Sequence, residues 1–459
     1  MELDTIAAIA TGMTDAGIGI IRVSGPNAIC FVDKIFKKSN NEKLVDAKSH
    51  TMHYGFIYDN DEKIDQVLVS VMKNPKSYTG EDTVEINCHG GIFIVNRILN
   101  LVLSLGVRLA DPGEFTKRSF LNGKMDLSKA EAVMDLIGSK NDFALKNSLK
   151  QLSGDILSEI KSIREEILYE IAFIESALDD PEHFDLDEYP DSLRAKLLKI
   201  KDRLDNLLSH SKEGRIRKDG ILSVIVGKPN AGKSSFLNMV LKKDCAIVTN
   251  IAGTTRDVLE ESVKLDDMVL NIVDTAGIRD TDDEVERIGV NKAKQYIDDA
   301  DLILYMVDSS VDLDENDDEI INMLEFKNFL VLMNKSDLNI KVSKQDIADI
   351  LGEDTNIISI SAKENMGIDA FKDALRNIFY SKQININDEI IITNTRQINE
   401  INQCIQSILL VIDSIDNCMP EDFYSIDLQN AYSHLGFIIG EEIDDDVVDE
   451  IFSKFCMGK

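Results

Sequence analysis

The run Ile221-Leu222-Ser223-Val224-Ile225-Val226 is apolar apart from one serine, and it passes directly into Gly227-Lys228-Pro229-Asn230-Ala231-Gly232-Lys233-Ser234 and then a helical stretch. The order strand, loop, helix matches G-x-x-x-x-G-K-[ST] in the context that pattern requires. Glycines let backbone N–H groups converge on phosphate oxygens at a helix N-terminus, Lys233 supplies a point charge for the β- and γ-phosphates, and the Ser234 hydroxyl can ligate Mg²⁺. A nucleotide-binding α/β segment is expected, continuing in strand–loop–helix repeats to about Tyr380.

The flanking sequence differs in character. Residues 4–120 alternate β-like runs (Thr5 to Ala10, Ile18 to Val23, Gln66 to Val71, Thr83 to Asn87) with helical stretches near Ala28 to Phe36 and Ile92 to Leu103, the pattern of a mixed α/β domain. Further on, Ile156, Ile160, Ile163, Ile167, Ile171, Ile174 and Leu178 recur at spacings of three and four, one apolar stripe on a long helix suited to a bundle. The acidic, Pro-containing stretch Asp179 to Asp191 interrupts that spacing before Leu193, Leu197, Ile200, Leu204 and Leu208 restart it. Helical spacing returns after Tyr380 in Ile398, Ile401, Ile405, Ile408 and Ile412, so the α/β segment reads as an insertion into one helical domain. The expected architecture is multidomain α/β plus all-α: an N-terminal mixed α/β domain (1–120), a helical bundle in two parts (121–216 and 381–459), and an inserted P-loop domain with a Ras-like doubly wound sheet (217–380).

A length of 459 residues, 44% apolar, suits about three such domains. Fifty basic against eighty-two acidic residues give a formal charge of −32, which excludes indiscriminate binding of nucleic acid or anionic membrane by bulk charge. The local exception is Arg194 to Lys218, with nine basic residues against three acidic ones. Two readings stand for it: a solvated helix face pairing with nearby acids, or a contact surface for RNA phosphates. Met1-Glu2-Leu3-Asp4 has none of the basic and apolar character of a secretory signal, and no segment has the apolar length to span a bilayer, so a cytoplasmic protein without a membrane partner is expected. Cys30, Cys88, Cys245, Cys404, Cys418 and Cys456 are scattered without metal-ligand spacing, as reduced thiols would be, and no zinc site is expected.

Four signals follow the phosphate loop in order. Gly253-Thr254-Thr255-Arg256-Asp257 offers hydroxyls for a switch loop sensing γ-phosphate and Mg²⁺, and Asp274-Thr275-Ala276-Gly277 places a carboxylate and a glycine N–H after the strand Val269 to Val273. Asn334-Lys335-Ser336-Asp337 ends the strand Phe329 to Met333, and Ser361-Ala362-Lys363 ends the strand Ile357 to Ile360. With these the chain resembles the translation-factor-related GTPase superfamily. A carboxylate such as Asp337 can accept two hydrogen bonds from the guanine N–H and amino group, a donor pair adenine lacks. The resemblance implies GTP contacts at Asn230, Ala231, Gly232, Lys233, Ser234, Ser235, Thr249, Thr255, Asp274, Gly277, Asn334, Lys335, Asp337, Ser361, Ala362 and Lys363, with Mg²⁺ on Ser234 and Thr255.

Where Ras-type proteins carry a water-orienting glutamine, this chain has Ile278, which cannot do that work. The acids Asp280, Asp282, Asp283, Glu284 and Glu286 are candidates, against the reading of a solvated loop. Asn230 could help coordinate a monovalent cation in place of an arginine finger.

Strings outside the phosphate loop are more specific: Asp4-Thr5-Ile6 with Gly19 to Gly25, Tyr78-Thr79-Gly80-Glu81-Asp82 with His89-Gly90-Gly91, Pro112-Gly113-Glu114-Phe115 with Phe120 to Lys124, and Phe455-Cys456-Met457-Gly458-Lys459. Over essentially its full length the chain resembles the MnmE (TrmE) family of tRNA modification GTPases. The resemblance implies a homodimer formed through the N-terminal domain and a heterotetramer with an FAD-dependent MnmG-type partner. It implies modification of wobble uridine at its 5-position in certain tRNAs, with a one-carbon unit from 5-formyltetrahydrofolate or a related folate. It assigns folate to Arg22, Glu85, Lys124 and Lys459, K⁺ to Asn230, Thr249, Ile251 and Thr254, and the hydrolytic water to Glu286. The folate residues also read as surface ion pairs, and Cys456 as either a nucleophile or a small apolar contact. Two other classes fit a GTP-binding chain: a ribosome-assembly switch, which usually adds a small α/β RNA module after the GTPase, and a nucleotide-regulated scaffold.

Overall fold

The computed structural model describes residues 4–38, 42–180, 183, 188–244, 260–274, 296–298, 300–324, 327–380, 391–455 and 457–459. The chain forms two compact units, each discontinuous in sequence: Met1–Ile137 with Ser148–Lys201 and Asn399–Lys459, and Gly138–Asn147 with Asp202–Ile398.

The first unit opens on a seven-stranded sheet of β1 (Ile6–Ile9), β2 (Ala16–Ser24), β3 (Phe36–Lys38), β4 (Thr51–Asp59), β5 (Glu62–Met72), β6 (Thr83–Gly90) and β7 (Arg108–Leu109). Its order is β3-β4-β5-β6-β2-β1-β7, antiparallel throughout except for the parallel β1–β7 edge. Alternation selects the faces: Val67, Val69 and Val71 of β5 are buried with Ile21, Val23, Val84 and Ile86 beneath the helices Ala28–Ile35 and Ile92–Ser104. β3 and β4 were not expected from the sequence. Gly55 explains their pairing, since a Cβ there would strike the Phe36 ring and the Lys37 carbonyl, so glycine lets β3 approach.

The helix Asp155–Asp179 buries Ile156, Ile160, Ile163, Ile167, Ile171 and Ile174, as the spacing implies; the stripe closes on Ala177, and Leu178 is exposed. It packs against the helix Glu421–Ile439. Arg164 pairs with Glu441 and Glu442, the latter at 2.8 Å, and lies 3.9 Å from the Tyr432 ring centroid. Segments on either side of Asp202–Ile398 therefore pack together as one helical body within the first unit.

The second unit carries β8 (Ile221–Val226), β9 (Glu260–Leu265), β10 (Met268–Asp274), β11 (Leu302–Asp308), β12 (Phe329–Asn334) and β13 (Ile357–Ser359), in the order β13-β12-β11-β8-β10-β9. All pairs are parallel except the β9–β10 hairpin. Every residue of β11 is buried, as a strand covered on both faces requires. Phe236 and Phe371 from the helices Lys233–Asp244 and Ile368–Phe379 meet edge to face on one side, with centroids 5.3 Å apart. Ile303, Tyr305 and Val307 pack with Leu324 and Ile347 on the other. Among the described residues no helix is long and apolar enough to cross a membrane.

An ion network ties the sheet of the first unit to the helix Glu114–Leu121. Arg118 reaches Asp4 (2.6 Å), Glu114 (2.9 Å) and Glu81 (3.2 Å), and Arg108 reaches Asp4 (2.6 Å) and Glu114 (2.5 Å). The hydrogen bond from Arg108 leads in holding the Asp4 carboxyl below its ordinary range. For Glu114 burial pushes upward, but Arg108, the Asp111 N–H and Arg118 outweigh it. Carboxyls depressed in the folded state stabilise it above their unfolded pKa of about 4, and that contribution is lost as pH falls through the folded values. Arg108→Gln is therefore expected to lower the melting midpoint at pH 7 more than at pH 3, checked by thermal melts across that range.

Candidate functional site

The second unit assembles its site where the parallel strands end. After Val226 the chain turns through Gly227, whose Cβ position is taken by the Met306 carbonyl, and through Asn230 (φ +63°) and Gly232 (φ +99°) into the helix Lys233–Asp244. Asparagine tolerates that left-handed conformation better than most residues. The Lys233 ammonium donates to the Gly227 carbonyl at 2.7 Å and the Lys228 carbonyl at 2.9 Å. Ser234 and Ser235 are exposed in the first helical turn.

Asn334, the last residue of β12, is buried and joins three loops. Its amide nitrogen donates to the Ala231 carbonyl at 2.8 Å, and its amide oxygen accepts the Ala362 N–H at 3.1 Å. That amide lies against Gly232, where any Cβ would collide with it. Lys335 (φ +62°) places its ammonium 2.5 Å from Asp308 at the end of β11. Asp337 is exposed and accepts the Ser361 hydroxyl at 2.6 Å, which leads in holding its carboxyl below the usual range. Ser361 is fixed in turn by paired backbone hydrogen bonds with Met366.

Thus Asn230, Ala231, Gly232, Lys233, Ser234 and Ser235 share one edge of the sheet with Asn334, Lys335, Asp337, Ser361, Ala362 and the exposed Lys363. Asp274 ends β10 opposite Ile225 of β8. Thr249, Ile251, Thr254, Thr255, Gly277 and Glu286 lie outside the described residues, as does Cys456. The exposed Ser234 hydroxyl, beside Lys233 in the first helical turn, is an oxygen donor that would suit Mg²⁺. Asn230 is exposed in the preceding loop.

A second cluster lies on the sheet of the first unit. Arg22 and Glu85 are register partners on β2 and β6, joined at 2.9 Å. Arg22 also donates to the Gly458 carbonyl at 3.2 Å, and its guanidinium lies 5.5 Å from the Tyr78 ring and 5.6 Å from Phe115. The Lys459 ammonium stands 5.8 Å from the same Tyr78 ring. Three of the four expected folate residues are therefore together; Lys124 makes its contacts elsewhere on the loop, to the Pro75 carbonyl at 3.0 Å and with its stem against Gly80. Burial raises the Tyr78 phenol against the hydrogen bond with Thr116 and the charge of Arg22. Tyr78 and Phe115 were missed as walls, although both stand in the strings that carry the family resemblance.

The basic stretch is extensively paired. Arg194 meets Asp416 (2.9 Å), Lys196 meets Glu170 (2.6 Å), Arg215 meets Asp301 (2.5 Å) and Arg217 meets Glu213 (2.7 Å). The stretch is also two helices, Tyr189–Leu208 and Ser211–Asp219, rather than one. These pairs favour the face-pairing reading over an RNA surface.

A doubly wound sheet of this order, with a phosphate loop after its first strand and an Asn-Lys-x-Asp loop hydrogen-bonded to it, defines a P-loop GTPase domain. Family models for the MnmE helical domain and for the N-terminus of the GTP-binding protein TrmE match residues 127–456 and 5–124. A tRNA modification GTPase MnmE from Lachnoclostridium phytofermentans is 49% identical over 460 residues, covering 100% of both chains. Proteins of the same name from Enterococcus faecalis and Alkaliphilus oremlandii are 43% and 44% identical, covering 100% and 99% of this chain and 99% of their own. The chain belongs to the tRNA modification GTPase MnmE family.

Asn334→Ala removes two buried hydrogen bonds and strands a carbonyl and an N–H. It is expected to cost about 2 kcal/mol in urea denaturation, whereas Lys363→Ala at an exposed site is expected to stay within about 0.5 kcal/mol.

Proposed function

We propose that this chain hydrolyses GTP as a subunit of a tRNA-modifying complex that adds a carboxymethylaminomethyl-type group to the 5-position of wobble uridine. The observation that carries the reading is the bridge from Asn334 to Ala231 and Ala362, which couples the loop suited to phosphates to the loop suited to guanine, in a chain matching this family end to end. Residues 217–380 bind and hydrolyse GTP, residues 1–120 bind folate and dimerise, and 121–216 with 381–459 form the helical domain.

In the hydrolytic step a water oxygen attacks the γ-phosphorus, the bond to the bridging oxygen breaks, and the water protons pass to phosphate. Lys233 neutralises β/γ charge, Asp337 selects guanine, Ser234 and Thr255 hold Mg²⁺, and Glu286 orients the water. Asn230, Thr249, Ile251 and Thr254 would hold K⁺, which when bound would supply the positive charge an arginine finger supplies elsewhere.

The cluster of Arg22, Glu85 and Lys459 against Tyr78 and Phe115 supports a folate reading, since it combines aromatic walls, cations for a glutamate tail and a carboxylate for a pterin edge. The outer face of the same sheet supports homodimerisation: Met52 (62% exposed), Tyr54 (48%) and Leu68 (43%) share it with Arg22 and Glu85. The partner is an FAD-dependent MnmG-type protein, the substrate a tRNA, and the compartment the cytoplasm. A ribosome-assembly or scaffold role has no specific observation behind it, since helices Thr395–Asp416, Glu421–Ile439 and Asp445–Ser453 follow the GTPase segment.

GTP turnover is expected to be faster in KCl than in NaCl, and equal slow rates would defeat the potassium assignment. Glu286→Ala is expected to lose roughly 10²–10⁴-fold in turnover with nucleotide affinity retained. Mass spectrometry of tRNA from a deletion strain is expected to show wobble uridine without the 5-substituent, and an unchanged modification pattern would refute the pathway.

A further inference from the structure

Lys228 belongs to the phosphate loop, but its ammonium is turned to two carboxylates. Asp317 Oδ2 lies at 2.6 Å and Asp314 Oδ2 at 3.0 Å. Asp317 is only 1% exposed and is held by two further donors: the Tyr305 hydroxyl at 2.9 Å and the Asp314 N–H at 3.0 Å. Tyr305 is wholly buried within β11, and Asp314 with Asp317 forms the capping box of the helix Glu315–Met323. The anchor for Lys228 is thus fixed both to the central sheet and to a helix terminus. Burial disfavours the Lys228 charge, but the hydrogen bonds to Asp317 and Asp314 outweigh it and hold the ammonium above its ordinary range.

The backbone of the same residue does a second thing. The Lys228 carbonyl accepts a hydrogen bond from the Lys233 ammonium, as does the Gly227 carbonyl. A continuous path therefore runs from Lys233 through the Lys228 carbonyl and side chain to Asp317 and Tyr305, and neither of the last two belongs to any of the five nucleotide motifs. A buried ion pair is a poor source of net stability compared with an apolar replacement, and its best-attested use is to fix one arrangement among several.

We propose that Lys228 and Asp317 are positioning residues for phosphate binding: their ion pair anchors the first half of the loop, so that the Lys228 carbonyl holds the Lys233 ammonium where the phosphates of a guanine nucleotide need it. This rests on the reading of Gly227–Ser234 as a phosphate loop. The pair sits at the phosphate half of the site and, among the described residues, touches no group assigned to the base, so GDP and IDP, which share phosphates and differ in the base, are expected to be affected alike.

The test uses the full-length protein, with GDP and IDP each displacing a fluorescent GDP. Removing one charge would strand the other in a buried place, so the principal variant is the double Lys228→Met with Asp317→Met. The isosteric Asp317→Asn is a second route should the double variant not fold. The double variant is expected to bind both nucleotides about tenfold more weakly, equivalent to about 1.4 kcal/mol, and Asp317→Asn about threefold more weakly. The ratio of GDP to IDP affinity is expected to stay constant, and Lys228→Arg, which keeps the pair, to stay close to wild type. Wild-type affinity in both charge-removing variants would overturn the proposal, as would a changed GDP-to-IDP ratio, which marks a general loosening of the unit. Failure of the wild-type protein to bind GDP would instead remove the guanine-nucleotide reading itself.

Discussion

The helical body of the first unit is built on one helix–helix seam, the helix Asp155–Asp179 against the helix Glu421–Ile439. These segments are separated in sequence by Asp202–Ile398, the larger part of the second unit, so their meeting closes a very long loop. The entropic cost of closure grows only logarithmically, by about 0.6 kcal/mol for each doubling of loop length, while burying one isoleucine contributes about 1.5–3 kcal/mol. The six isoleucines from Ile156 to Ile174 outweigh that increment several times over. Arg164, reaching Glu441 and Glu442 while stacked on Tyr432, sets the register that a plain apolar stripe would leave loose. An inserted domain is therefore physically cheap, provided the seam is long and apolar.

The second unit meets a different constraint, because it must receive a polyanion in a chain of formal charge −32. Exposed charges are screened within roughly 10 Å at ordinary ionic strength, so the balance that matters is local. Around the phosphate loop the attraction comes from the N-terminus of the helix beginning at Lys233 and from the Lys233 ammonium, while Lys228 is occupied by Asp314 and Asp317. The basic stretch from Arg194 to Lys218 follows the same economy, with Asp416, Glu170, Asp301 and Glu213 engaged by its cations. Much of this unevenly acidic surface is spoken for by ion pairs, which is why bulk charge says so little about the ligand.

What was legible in the sequence was contiguous. The strand Ile221–Val226, the loop after it and the stripe from Ile156 to Ile174 could be read because each is written in adjacent or regularly spaced residues. The strands β3 and β4 escaped because Gly55 and His53 break the β-like pattern, and the reason for the glycine is a contact with Phe36 from another strand. The terminal stripe position fell on Ala177 rather than Leu178 because small residues carry little weight in an apolar pattern yet fit a close approach. Asp317 was hidden most completely. It sits in the run Asp312 to Asp318, outside the nucleotide motifs, and only tertiary structure supplies its partners Lys228 and Tyr305.

The cluster around Arg22 shows how the seam and the site are linked within the first unit. Arg22 and Glu85 lie on neighbouring strands, but the carbonyl of Gly458 and the ammonium of Lys459 reach them only if the final helix, Asp445–Ser453, is seated. That seating is specific: Phe452 packs on Phe120 and Phe455, Lys117 pairs with Asp449, and the backbone at Phe452 lies where any side chain on Gly113 would have to go. Gly458 in turn rests on Ile9 and Ala10 so closely that a Cβ could not be added. The site is thus built from residues 436 positions apart and is completed by the seating of the final helix. Strings at opposite ends of the sequence, Gly19 to Gly25 and Phe455 to Lys459, are parts of one surface, and their co-occurrence in the chain is a structural requirement of that surface.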